Sequence, residues 1–250
     1  MMNLHKLHLF AFALLILMNS CSKDDDSSDD QPTVAQGMLK VRFSFTSGTG
    51  TAQYMLSDYV DDAAGKYVQF DHVHFFVSNI RILDVNGNQQ KDYPGLVLLA
   101  DVDNVVDMEL GLTNAMTVGR IAFDIGLDPQ TDAMQPTDFS QPPLNDQTNY
   151  ESGQGYKFFE LTGKWDSTNN NIVQSNDDPV SYVSLSQAMV RQVDTYINTA
   201  HTSPGSTTYL KVRMDNIMNG VTCSSTAISV GSGSVNSQLM NNLQGAISKY

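Results

Sequence analysis

Two histidines of this chain have the type and the spacing that a transition-metal site requires. His72 and His74 stand two apart in the segment 67–83, which is dense in Val, Ile, Phe and Tyr and is therefore predicted to be a strand. Alternate residues of a strand point to the same face of its sheet. Both imidazoles should therefore lie side by side, where their nitrogens suit one shared metal ion. The alternative is that each is an ordinary polar or packed strand residue.

Further nitrogen and sulfur ligands are scarce in this sequence. Of five histidines in all, His5 and His8 lie in the N-terminal segment that is expected to be removed. His201 follows a predicted helix and completes a site only if the fold brings it to the pair. Met214 and Met218 are the methionines to consider as soft copper ligands, although methionine is commoner as a core residue.

Familiar catalytic and calcium-binding motifs are missing from the sequence. It contains no His-Glu-x-x-His, Gly-x-Ser-x-Gly, phosphate-binding glycine loop or Cys-x-x-Cys. Residues 84–88 begin like a calcium loop, but Gly95 stands where the bidentate glutamate belongs, so a tight hairpin turn is predicted. The acidic residues of 101–104 are likewise interpreted as a loop at a strand end. We therefore do not expect an enzyme.

The composition predicts a globular body without nucleic-acid partners. Of 250 residues, 41% are apolar and 16% charged, and 27 acidic side chains against 14 basic ones give a formal net charge of -13. A chain this acidic repels phosphates through its overall field.

The first twenty residues are predicted to be a lipoprotein signal peptide. Leu9–Met18 is an uninterrupted apolar run of ten residues, which matches a signal peptide core and is shorter than the roughly 20 residues of a membrane-spanning helix. Met18-Asn19-Ser20-Cys21 resembles a loosened bacterial lipobox, so Cys21 is predicted to be lipidated. The alternative is an ordinary signal peptide with an incidental cysteine. The following Ser-Lys-Asp-Asp-Asp resembles the export signal of surface lipoproteins in Bacteroidota. We expect anchoring in the outer membrane, facing the periplasm or the cell surface.

The rest of the chain divides into a tether and one domain. Residues 21–37 carry five aspartates and no large apolar side chain, which predicts a flexible acidic tether. Residues 38–250 are predicted to form the folded domain. Cys223 then has no partner and is interpreted as a small buried hydrophobe.

The domain is predicted to be mainly β, an antiparallel sandwich with one or two peripheral amphipathic helices. Its inner wall is expected to carry the imidazoles of His72 and His74. Apolar and polar residues alternate in 39–46, and β-type runs recur without regular helices between them. Spacings of three and four predict helices at 184–200 and at 235–247. The predicted strands are 39–46, 67–83, 96–100, 120–127, 156–162, 209–214 and 227–230.

Three segments of the chain carry recognisable motifs in a fixed order. The first is Tyr67–Ile82, which includes Phe-Phe-Val-Ser-Asn-Ile. The second is Gly119–Asp128, with Ile-Ala-Phe-Asp-Ile-Gly-Leu-Asp, and the third is Gly155–Gly163, which begins Gly-Tyr-Lys-Phe. Together these segments resemble the MbnP-like copper-binding family, and the resemblance covers about half of the chain.

The resemblance implies a β-sandwich that binds copper through histidines and an oxidised tryptophan, which a partner dihaem peroxidase produces. Here Tyr150 and Ser152 stand where the family commonly carries tryptophans, and no histidine follows in the family's later His-Leu-Gly position. Trp165, the one tryptophan, is interpreted as a core or edge residue. The resemblance therefore supports the fold, while the choice of ligands follows from the few donor residues present: for copper we expect His72 and His74, with Tyr150 as their neighbour. A metal-free sandwich that binds another ligand or mediates adhesion is the alternative.

Overall fold

A computed structural model describes residues 35–250 of the chain, so the predicted signal peptide, Cys21 and most of the tether lie outside the described residues. Within these described residues the α-helices are α1 (Pro129–Asp132) and α2 (Ser234–Ala246), and short 3-10 helices span Pro136–Asp138, Gln147–Asn149, Gln187–Met189 and Met214–Asn216. The strands are β1 (Gln36–Thr46), β2 (Tyr59–Asp61), β3 (Tyr67–Leu83), β4 (Gln89–Tyr93), β5 (Leu98–Asp101), β6 (Met108–Asn114), β7 (Met116–Ile125), β8 (Tyr150–Glu151), β9 (Gly155–Trp165), β10 (Pro179–Leu185), β11 (Arg191–His201), β12 (Gly205–Arg213), β13 (Ile228–Gly231) and β14 (Ile247–Lys249). Within 35–250, no helix is both long and apolar enough to cross a bilayer.

Two sheets form a sandwich, which confirms the predicted mainly-β class. The first sheet has the order β14-β12-β1-β6, and the second has β11-β7-β3-β9-β10-β13. Strands β2, β4 and β5 pair additionally with β3, the long central strand of the second sheet. Both sheets are mixed, because β1 runs parallel to β12 and β10 runs parallel to β13.

Aromatic side chains from both sheets fill the space between them. Phe43 of β1 meets Phe75 of β3 and Phe123 of β7 edge to face, with ring centroids 5.5 and 5.6 Å apart. All three rings are buried. Edge-to-face contact of this kind adds roughly 0.5–1.5 kcal/mol per pair beyond the burial of apolar area. The face of β3 that carries Phe75 is therefore the core face.

The helix predicted over 184–200 is wrong, because this stretch contains the end of β10, a 3-10 turn and β11. Apolar residues recur every fourth position here, at Leu185, Met189, Val193 and Ile197. Residues four apart share one face of a helix, and because four is an even number they also share one side of a strand. Within β11 the buried positions alternate at Val193, Thr195 and Ile197. The C-terminal helix is confirmed as α2, which buries Leu239, Met240 and Leu243.

The hairpin predicted at 84–88 is confirmed, but its return strand is not the expected one. The side chain of Asp84 accepts hydrogen bonds from the backbone N–H groups of Asn86 and Asn88 at 2.8 Å, which fixes the turn. The returning strand is the largely exposed β4, whose polar residues give no alternating signal. The predicted strand 96–100 corresponds to β5, which pairs with residues 74–77 in the middle of β3.

Candidate metal centre

A bulge in β3 places both histidines on the face of the second sheet that points away from the core. Phe70 pairs with Gly163 and His72 with Thr162, so Asp71 is the extra residue on β3. The side chain of Asp71 accepts a hydrogen bond from the Thr162 hydroxyl at 2.5 Å. Because one inserted residue reverses the alternation of a strand, His72 and His74 lie on the face opposite to the buried Phe70 as well as opposite to their neighbour Phe75. The expectation that their rings line the inner wall of the sandwich is therefore wrong.

The two imidazoles are in direct contact. Nε2 of His72 lies 2.6 Å from Nδ1 of His74, a hydrogen-bond distance at which one ring donates to the other. The ring centroids are 4.7 Å apart and the ring planes are inclined by 77°. His74 is only 2% exposed, whereas the side chain of His72 is 34% exposed. The pair thus has a buried member and a member that reaches solvent.

Carboxylates flank His74 on both neighbouring strands. It stands opposite Glu160 of β9 on one side and opposite Asp101 of β5 on the other. Residues directly opposite each other on neighbouring strands bring their side chains to the same face, with Cβ atoms about 5 Å apart. The centre of the second sheet therefore supplies imidazoles and carboxylates from three adjacent strands.

Glu160 and Lys157 form a largely buried ion pair next to His74. Nζ of Lys157 donates to Oε1 of Glu160 at 2.8 Å, and the two side chains are 16% and 13% exposed. The other carboxylate oxygen lies 3.7 Å from Nε2 of His74, which is too far for a hydrogen bond. Nε2 of His74 is consequently buried without any hydrogen-bond partner within the described chain. A buried polar atom of this kind is rare and costs free energy unless something binds it.

His74 is held in its neutral form. Its pKa is lowered to about 3, mainly because the charged imidazolium is poorly solvated when buried, with the neighbouring His72 and Lys157 acting in the same direction. A neutral imidazole keeps the nitrogen lone pair that a metal ion requires. The buried histidine therefore needs no deprotonation before it can bind an ion near pH 7.

The donor atoms of this cluster fit a transition-metal ion. One nitrogen from each of His72 and His74 and one oxygen of Glu160 lie within 4.8 Å of one another. Two imidazoles and one carboxylate suit Cu(II), Zn(II) or Fe(II), whereas Cu(I) prefers softer sulfur ligands. The unpartnered Nε2 of His74 is the atom that such an ion would satisfy.

The other residues considered from sequence lie elsewhere or have other contacts. The hydroxyl of Tyr150 accepts a hydrogen bond from Gln135 at 2.7 Å, and its ring meets Tyr156 at 5.2 Å. Tyr156 contacts Phe76, two residues along β3 from His74. Tyr150 as a neighbour of the metal stays a prediction.

The fold does not bring the third histidine to the pair. Both ring nitrogens of His201 have partners, with Nδ1 2.7 Å from the Ser206 hydroxyl and Nε2 3.1 Å from the Thr113 carbonyl oxygen. Met214 and Met218 are fully buried in the core, as is usual for methionine. Trp165 ends β9 and is 9% exposed, so its interpretation as a core or edge residue is confirmed.

Cys223 is the small buried residue that the sequence predicts. It is a free cysteine, 2% exposed, and burial raises the pKa of its thiol to about 12. Its backbone N–H donates to the buried carboxylate of Asp62 at 2.9 Å. A thiol in this state is neither a good nucleophile nor a metal ligand.

Comparison with known proteins identifies the family. The sequence profile of the MbnP family matches residues 36–236. This chain belongs to the MbnP family. Among solved structures, MbnP from Methylosinus trichosporium is similar, with 11% sequence identity, a TM-score of 0.52, and coverage of 81% of this chain and 83% of that chain. At this identity the likeness supports the shared fold alone. No curated protein matches the chain.

Sequence reasoning missed the acidic residues of this cluster in the MbnP-family domain. Glu160 lies within a segment matched to the family, and it is the one acidic residue in the apolar strand β9. A carboxylate is rarely placed in a buried strand unless it is paired. The position of Glu160 in an apolar strand therefore indicates a residue with a partner or a ligand. Asp101 and Asp103 were interpreted only as loop residues. Their proximity to His72 follows from the pairing of β5 with β3, which the sequence did not indicate.

Proposed function

We propose that this MbnP-family protein binds a single copper ion, as Cu(II), through His72, His74 and Glu160. The unpartnered, buried Nε2 of His74 is the observation that carries the proposal. Cu(II) binds nitrogen and oxygen donor sets more tightly than the other common divalent metals of the first transition row. Copper is also the metal that the family resemblance implies.

The charges around the site favour a divalent cation. Glu160 contributes a negative charge beside two neutral imidazole ligands. Lys157 neutralises part of that charge through its ion pair with Oε1, the carboxylate oxygen that does not face His74. Lys157 also fixes the orientation of the carboxylate, as hydrogen bonds to ligating groups commonly do in metal sites. When bound, the ion would add positive charge that Asp101 and Asp103 can partly balance.

The wider role we propose is that of a non-enzymatic lipoprotein anchored through Cys21 in the outer membrane, facing the periplasm or the cell surface. The partner implied by the resemblance, a dihaem peroxidase, is part of this proposal. A metal-free ligand-binding or adhesion lipoprotein is the second candidate, and the departures from the family pattern at Tyr150 and Ser152 favour it.

Calorimetric titration of the mature protein with Cu(II) and Cu(I) tests the metal site. We expect the wild type to bind one Cu(II) ion tightly. The affinity should be lower by at least about 100-fold in His72→Ala and in Glu160→Gln, because loss of a ligand exceeds the 10- to 100-fold effect of losing a residue that only hydrogen-bonds to a ligand. His201→Gln is the matched control, since its nitrogens serve the fold. Circular dichroism must show that each variant is folded. Absence of Cu(II) binding would support the metal-free candidate, whereas unchanged affinity in both variants would overturn His72 and Glu160 as ligands.

A further inference from the structure

His72 presents its second ring nitrogen to a separate group of ligands. While Nε2 faces His74, Nδ1 lies 3.9 Å from Oδ2 of Asp103. Ligand atoms of His72, Asp101 and Asp103 lie within 4.8 Å of one another. The same imidazole thus belongs to two groups of donor atoms, one on each side of its ring.

The two groups differ in their access to solvent. The inner group consists of His72, His74 and Glu160, and the side chains of the last two are only 3% and 13% exposed. In the outer group of His72, Asp101 and Asp103, the side chain of Asp103 is 51% exposed. An ion from solution therefore reaches the aspartates before it reaches His74. His72, with one third of its side chain exposed, lies between them.

Local backbone geometry holds the aspartates together. The Asp101 carboxylate accepts the backbone N–H of Asp103 at 2.8 Å, and the carbonyl oxygen of Asp101 accepts the N–H of Asn104 at 3.3 Å. The turn at the end of β5 thus keeps two negative charges next to one imidazole. Two carboxylates and one imidazole suit a hydrated divalent cation such as Cu(II) or Zn(II) and are too hard for Cu(I).

We propose that His72, Asp101 and Asp103 form a second, weaker divalent-cation site at the surface, which captures the ion that the inner group then binds. This inference rests on the proposed function, because the inner site receives the ion. The transfer exchanges water and carboxylate ligands for His74 and Glu160, while His72 changes its ligating nitrogen from Nδ1 to Nε2. Each neutral ring keeps its single proton, which moves from Nε2 to Nδ1 as Nε2 becomes the ligand. The ion stays divalent throughout.

Rapid-mixing kinetics and titration with Cu(II) test the capture site in the double variant Asp101→Asn/Asp103→Asn. Asp92→Asn is the matched control, because Asp92 is exposed on β4 opposite Arg81, nine residues or roughly 30 Å along β3 from His72. We expect the wild type to bind one tight equivalent, because the neutral ring of His72 ligates one ion at a time, and Glu160→Gln to bind one weak equivalent instead. The double variant should load about tenfold more slowly, with tight affinity changed less than threefold.

The outcomes separate this inference from the proposed function. A weak equivalent in Glu160→Gln in place of the tight one of the wild type supports both. A wild type that binds only one weak equivalent supports the capture site and overturns the proposed inner site. An unchanged loading rate in the double variant overturns the capture site. So does a 10- to 100-fold loss of tight affinity at an unchanged loading rate, because the aspartates would then only orient His72.

Discussion

Acid should weaken this fold through His74, and the size of the effect follows from its burial. In the unfolded chain its pKa is near 6.5, whereas burial lowers it to about 3 in the folded protein. Below pH 6.5 the unfolded chain therefore binds a proton that the folded chain does not. The stability contributed by the neutral, buried ring is fully present above that pH and is lost progressively as the pH falls towards 3.

Each pH unit within that window costs about 1.4 kcal/mol, so two units cost roughly 2–3 kcal/mol. Urea unfolding of the metal-free protein in a chelator, at half-unit steps from pH 7 to 4.5, measures this loss. The variant His74→Gln has a side chain that cannot be protonated and should lack this part of the slope. Equal slopes in the wild type and in the variant would refute the reasoning.

Three further predictions concern the scaffold. Gly163→Ala should lower the free energy of unfolding, measured by urea titration, by about 2–3 kcal/mol, because the added Cβ would lie 2.1 Å from a backbone oxygen of β3. In the control Gly245→Ala the added Cβ meets nothing within 4 Å, so this variant should be neutral or stabilising in the same titration. Asp62→Ala should lower the free energy of unfolding by about 2–4 kcal/mol, because this buried carboxylate accepts hydrogen bonds from three backbone N–H groups. The exposed neighbour provides the control Asp61→Ala, and equal losses of stability in the two variants would contradict this account. Cys223 should be alkylated by iodoacetamide only after unfolding, as read by peptide mass spectrometry, and labelling of the native protein would disprove its burial.

The strand that carries the histidines was predictable because its signal is long and unbroken. The predicted bounds 67–83 are those of β3, where β-branched and aromatic residues leave no competing interpretation. The bulge at Asp71 in this strand was not predictable. Asp71 looks like any polar strand residue, and whether it bulges depends on which strand pairs with it and in what register.

The misassigned helix and the missed carboxylates share a physical cause. A spacing of four fits two kinds of secondary structure, so only the neighbours of 191–201 decide between them, and β7 supplies the pairing that makes this segment a strand. Glu160 and Asp101 become neighbours of His74 through pairings between strands that are far apart in the chain. Patterns within one segment indicate which face a residue takes, but they do not indicate which other segment lies beside it.

The position of Glu160 and His74 on two central strands also links occupancy to the integrity of the whole domain. An ion held by both would act as a non-covalent crosslink between β3 and β9, and it would be released whenever those strands part. Mass action then raises the melting temperature as the free metal concentration exceeds the dissociation constant. Heat-induced melting would thus report loading in crude extracts, without a spectroscopic signature of the metal.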